Sequence, residues 1–241
     1  MLTVDLKRLS LRPGQKVLDI GCGRGRHVCG LARVPGLEVV GSDIKYSELV
    51  ETRKSLTYEY EFHTYKARSC HLVVSDIGFL PFENGSFDVV ICCEILEHLV
   101  DLSMALKELA RVLKPGGQLA VSVPRYYPER VCWSLSRSYS ATSDGHVRIF
   151  RQSELKREIE GYGFQNWAFH FAHSLHTPYW WLKCIAGLDS NSQRLVHIYH
   201  RFLVWDIMKK PRFTRLLESL LNPILGKSVV MYFTRVAHVC T

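Results

Sequence analysis

Several signatures that would settle the class of this chain at once are missing from it. No stretch reaches the roughly 18 uninterrupted apolar residues that a membrane-spanning helix needs. The first eight residues lack the long apolar run of a secretory signal, so a cytoplasmic location is the expectation. Cysteine occurs eight times (22, 29, 70, 92, 93, 132, 184, 240) but never as a C-x-x-C pair. That spacing fits neither a zinc site nor a disulfide framework, and reduced, structural thiols are expected. There is no internal repeat and no low-complexity linker. Acidic side chains are the scarce ones: 23 against 31 Lys and Arg, for a net charge of +8. The shortage is sharpest from Gln165 onward, with three acidic residues against nine basic, and four of the five tryptophans fall there too. This asymmetry points to an anionic partner, a membrane surface or a nucleic acid, and carries no information on fold.

What is present is an ordinary globular composition. Over 241 residues, 47% are hydrophobic and 22% charged, which suits a single full-sized domain spanning 1–241. Five short apolar runs, at 16–20, 37–43, 71–76, 87–93 and 118–123, read as strands. They do not alternate, as expected of strands buried on both faces. Helical spacing lies between them. Asp101 can cap a helix through Leu102, Leu106, Leu109 and Leu113 that 114–117 stops, and Ser153 can cap another through Leu155 and Ile159. Alternating strands and helices with short connections predict an α/β, doubly wound sheet. Two further strands, at 164–171 and 228–236, bracket a helical insertion at 176–226.

The chemistry concentrates where the first strand turns into a helix, in Asp19-Ile-Gly21-Cys-Gly23-Arg-Gly25. Glycines there let backbone approach a ligand, and the helix start offers unpaired amide donors. Alone, such a run is a nucleotide site or simply a tight strand–helix turn. Asp43 and Asp76 end the second and third strands, and each alone reads as a cap or turn residue. Three carboxylates converging on the carboxyl edge of adjacent strands point to a ligand, because open sheets bind ligands there.

With these residues in hand, the sequence resembles the class I S-adenosylmethionine-dependent methyltransferases, in the small-molecule branch that contains quinone-biosynthesis enzymes. The matching stretches run from Val17 to Gly25, Val40 to Asp43, Leu80 to Val90, Glu94 to Leu99 and Ala110 to Gly117, together covering roughly 10–125. The resemblance implies a Rossmann-like, seven-stranded sheet whose last strand is antiparallel, and S-adenosyl-L-methionine as cofactor. It implies that Asp19, Gly21, Gly23 and Gly25 hold the methionine end and that Asp43 takes the ribose hydroxyls beside Ile44. Asp76 and Ile77 would hold the adenine, and Glu94 would stand where methyl donor and acceptor meet.

If the acceptor is a hydroxyl, a general base helps. His98 and His146 are the candidates by chemistry and position. A helix-packing histidine at 98 and a loop histidine bonded to a carboxylate at 146 are the bland readings of the same residues. No metal centre is expected. His173 with His176, and His197 with His200, share an i, i+3 spacing, but no acidic or cysteine ligand lies close to either pair in sequence. The expected acceptor is therefore a small or lipophilic molecule. A nucleic-acid (RNA) substrate is the rival that the charge would suit, against which stands Glu94-Ile-Leu-Glu97 where base-amino methyltransferases carry a proline-aromatic motif. A non-catalytic cofactor-binding module is the third reading. The segment 176–226, with Tyr179, Trp180, Trp181 and nearby basic residues, is expected to act as a cap, as an interface, or as a peripheral contact with the inner membrane face.

Overall fold

The computed structural model describes residues 2–140, 146–187 and 194–236. Cys240, Asp144 and Gly145 ahead of His146, and positions 188–193 of the expected insertion lie outside the described residues.

Seven strands form one sheet: β1 (Lys16–Ile20), β2 (Glu38–Asp43), β3 (Ser69–Val74), β4 (Phe87–Cys93), β5 (Leu113–Pro124), β6 (Phe164–Ala172) and β7 (Ser228–Arg235). Their order is β3-β2-β1-β4-β5-β7-β6, with β7 antiparallel to both its neighbours and the pairs from β3 to β5 parallel. Between the strands lie α1 (Arg26–Ala32), α2 (Tyr46–Glu61), α3 (Leu102–Val112), α4 (Tyr126–Leu135), α5 (Arg137–Ser140) and α6 (Gln152–Glu160). Three more helices, α7 (His176–Ala186), α8 (Arg194–Lys209) and α9 (Arg212–Leu225), separate β6 from β7. The core is two-sided. Leu18, Val90 and Cys92 pack with Leu106 and Leu109 of α3, while Val17, Val89 and Ile91 pack with Val28 and Leu31 of α1. Successive residues of one strand thus enter opposite layers, which is why the runs are continuously apolar.

The local signals are mostly kept. Asp101 caps α3, its Oδ1 accepting from the amides of Ser103 and Met104 at 2.9 and 3.4 Å. Two expectations shift. Residues 114–117 belong to β5 as a bulge, since Leu113 pairs with Phe87 but Gln118 with Val89. Arg151 rather than Ser153 holds the N-cap position of α6, without a side-chain cap bond.

The face turned inward by α8 and α9 also differs from a simple reading of their spacing. Leu195, Ile198 and Trp205, three of the helically spaced apolar residues, are exposed, while Val196, Leu203 and the charged Asp206 are buried. On α9 the inner face carries Thr214 and Glu218, and Phe213, Leu216, Leu217, Leu220 and Ile224 point outward. The reason is ionic. Arg215 bridges Asp206 on α8 to Glu218 on α9, and a buried carboxylate needs such a partner more than an apolar side chain needs shelter. Trp181 is tied down instead of free: its indole N–H donates to the Pro128 carbonyl of α4 at 3.1 Å.

Candidate functional site

The glycine turn stands at the carboxyl end of β1 with a left-handed backbone. Gly21, Gly23 and Gly25 have φ of 63°, 52° and 80°. A side chain at Gly25 would also run into Thr52 of α2, whose methyl lies 2.6 Å from the added carbon. At Gly23 the space beyond is open, so there the glycine leaves room over the turn. Asp43 fastens this turn to β2. Its Oδ2 accepts from the Gly23 amide at 2.8 Å, and its Oδ1 from the Lys45 amide at 2.9 Å. Thr52, which no sequence motif marks, donates to the Gly23 carbonyl at 2.6 Å from the other side.

A cleft of about 600 Å³ opens over this edge of the sheet. Gly21, Gly23, Asp43, Ile44, Asp76, Ile77, Glu94 and His98 all line it, together with Ser75, Ile95 and Leu99. Eight of the eleven expected site residues therefore share one cavity. Asp19, Gly25 and His146 are not among its lining residues, and His146 lies against His98 with ring centroids 5.1 Å apart. Ile44 is 63% exposed beside Asp43, an apolar surface without a protein neighbour to cover it.

Asp19 is 1% exposed and its Oδ2 has no hydrogen-bond partner among the described residues. Burial pushes its carboxyl up to about 7, against the Arg26 charge and the Val28 amide that pull it down. An orphaned buried carboxylate under a glycine turn fits a cofactor whose cationic end arrives from the cleft. At the other end Glu94 has φ 54°, its amide donates to the Ser122 carbonyl at 2.9 Å, and its Oε1 accepts from Ser122 Oγ at 2.7 Å. Its carboxylate is thereby fixed at the end of β4.

Behind this lies a group of ionisable residues that the sequence does not connect. His146 Nδ1 is 2.6 Å from Glu129 Oε1 on α4, and Tyr139 OH donates to the same carboxylate. Burial raises the Glu129 carboxyl, but the His146 hydrogen bond, Lys227, the His146 charge and Tyr139 together hold it below the usual range. Glu97 is buried, and among the described residues neither of its oxygens has a hydrogen-bond partner. Burial, then the charges of Glu94 and Glu129, push its carboxyl well above the usual range. It lies 4.0 Å from His98.

A doubly wound sheet with a glycine turn and a row of carboxylates along its carboxyl edge defines a nucleoside-binding α/β protein. The chain belongs to the class I S-adenosylmethionine-dependent methyltransferases: the methyltransferase-domain family matches residues 3–168. Among its relatives is the demethylmenaquinone methyltransferase of Corynebacterium urealyticum, 30% identical over 66% of this chain and 72% of that protein. Another is an O-methyltransferase of Pyrenophora dematioidea, 34% identical over 48% of this chain and 42% of the relative. The chain spans less than half the length of the first curated relatives that it matches. Among solved structures, the [4+2]-cyclase SpnF superimposes with a TM-score of 0.63 at 18% identity, covering 96% of this chain and 79% of that one. At that identity the likeness concerns the fold alone, and a cyclase on this fold shows that the sheet by itself does not choose the reaction.

Proposed function

We propose that the chain transfers a methyl group from S-adenosylmethionine to a hydroxyl oxygen of a small or lipophilic acceptor. The observation that carries this reading is the single cleft joining Gly23, Asp43 and Asp76 at one end to Glu94 and His98 at the other. Bound there, the cofactor supplies an electrophilic methyl group on a sulfonium. Asp43 offers its remaining lone pairs to the ribose hydroxyls while its bond to Gly23 keeps the turn in shape. Asp76 takes the adenine amino group, with Ile44 and Ile77 against the ring. Asp19, through the turn, answers the charge of the methionine end. In-line displacement asks the protein mainly to align the two partners and exclude water. His98 receives the hydroxyl proton from the cleft side. His146, oriented by Glu129, fixes that imidazole's surroundings and is a positioning residue.

A lipophilic acceptor suits the outer surface of the last helices. Among the described residues no helix is long and apolar enough to cross a membrane. The exposed Phe213, Leu216, Leu220 and Ile224 run along α9, and Lys209, Lys210 and Arg212 stand at the start of that helix, an apolar face with cations at one end that suits an anionic bilayer surface. Labelled S-adenosylmethionine offered with phenols and hydroquinones bearing short and long alkyl tails, and with RNA in parallel, tests the reading. Label in an ether of the phenolic class supports it, and label in RNA or in none of them overturns it.

A further inference from the structure

His173, His176 and Glu218 are not among the residues lining the cofactor cleft, and they come from the β6–α7 connection, α7 and α9. His173 follows β6, His176 opens α7 and Glu218 sits in the middle of α9. Forty-two residues separate Glu218 from His176, which is why no spacing in the sequence pairs them. In the fold, one ligand atom from each lies within 4.8 Å of the others. His173 Nδ1 is 4.0 Å from Glu218 Oε1, and a side-chain movement of about 0.6 Å brings them to the edge of a tetrahedron with bonds of about 2.0–2.2 Å.

We propose that these three side chains bind a divalent transition-metal ion of zinc type, with a fourth position left open. Two histidines and one carboxylate form a donor set that zinc accepts, and a three-ligand set keeps a site for a further donor.

The surroundings are those of a built site. Glu218 is 7% exposed, and its Oε1, the oxygen 4.0 Å from His173, has no hydrogen-bond partner among the described residues. Its other oxygen, Oε2, is held by Arg215 Nη1 at 2.7 Å. His173 Nε2 is 3.0 Å from the hydroxyl of buried Thr3, which leaves Nδ1 for the ion. Second contacts of this kind orient metal ligands and fix the histidine tautomer. His176 Nδ1 is likewise buried without a hydrogen-bond partner among the described residues. His173 has φ 65°, a left-handed conformation that a histidine rarely adopts, and Ser174 behind it donates to Asn222 and Glu218 of α9. Arg215 is shared between Asp206 and Glu218. His173 and His176 line a cavity of about 370 Å³ together with Thr3, Arg26, Lys227 and Glu94. Glu94 also lines the cofactor cleft.

The test is calorimetry with Zn²⁺ on the full chain after chelation and dialysis, with Co²⁺ as the spectroscopic substitute. One ion per chain and a tetrahedral cobalt spectrum without a thiolate band are expected. Glu218→Gln and His176→Gln should lose more than about 100-fold in affinity, and Thr3→Val about 10- to 100-fold. Circular dichroism of the apo forms checks that the variants fold; should the two ligand variants fail, Thr3→Val reads the site alone. Absence of uptake by the wild type overturns the proposal. So does undiminished affinity in the folded variants, a cobalt–thiolate band from the cysteines, or uptake abolished only by replacing His98 and His146.

Discussion

The amide of Gly23 donates to Asp43 Oδ2 at 2.8 Å, so the carboxylate at the end of β2 holds the glycine turn that follows β1. The glycine turn and the acid proposed to take the ribose are therefore one mechanical unit. Removing the acid deletes the bond that holds the turn as well as the proposed ligand contact.

For that reason Asp43→Ala should weaken S-adenosylmethionine binding by about ten- to a hundredfold, the worth of one to two charge-assisted bonds. Asp43→Asn, which can still accept from Gly23, should lose less. Isothermal calorimetry on both folded variants decides; equal affinity of wild type and Asp43→Ala removes the residue from the site.

Asp19 makes apo stability depend on pH. Its folded value near 7 lies above the ordinary carboxyl value of 3.8, so the native state holds the proton longer than the unfolded chain. Stability from this group is full below the unfolded value and falls as pH rises from about 4 to 7. Three units correspond to roughly 4 kcal/mol as an upper order of magnitude. His27 opposes it: burial, then Arg26, lowers its value to about 3, so it adds stability as pH climbs from about 3 to 6.5. Asp19→Asn should therefore gain on the wild type steadily across pH 4–7 in urea melts without cofactor. A difference that stays flat with pH would show that Asp19 is not protonated in the fold.

His98→Ala should lower turnover by about 10²–10⁴ while leaving cofactor affinity nearly intact, if it takes the acceptor proton. His146→Gln and Glu129→Gln should lower it less and move the pH profile of kcat in the same direction as each other. Normal turnover in His98→Ala would mean that the acceptor needs no base from this side chain.

Gly25→Ala places a methyl in a left-handed backbone and against Thr52. The conformation alone costs about 1–2 kcal/mol. Adding Thr52→Ala removes the two nearest atoms but leaves Cβ at 3.0 Å, keeps the conformational cost and deletes the Thr52–Gly23 hydrogen bond, so the double variant should recover only part of the loss. Full recovery in chemical denaturation would show that the contact, not the backbone, sets the requirement.

The outer face of α9 predicts binding to anionic vesicles that weakens as salt rises, at about 1 kcal/mol per basic residue near the surface. Leu220→Gln with Ile224→Gln should reduce it without changing the cofactor site. Sedimentation that shows no binding to anionic and neutral vesicles alike would end the membrane reading.

The sequence alone determined the sheet, the glycine turn and the carboxylates at its edge, because each is a local pattern. A buried strand must be apolar throughout, a tight turn must be glycine, and an acid at a strand end is placed by the strand itself. The segment 176–226 was legible for the same reason, since helical spacing and Pro211 mark where its helices run. Tertiary structure decided what local patterns leave open. Spacing shows that α8 and α9 have two faces but not which one turns inward, and there the Asp206–Arg215–Glu218 ion group took the interior and left the leucines outside. Glu129 meets His146 and Glu218 meets His173 only after helices pack, because a side chain on one element carries no mark of the partner that another element will bring. Such contacts between distant positions depend on how the layers close, and the chain's local chemistry does not encode that in any short stretch.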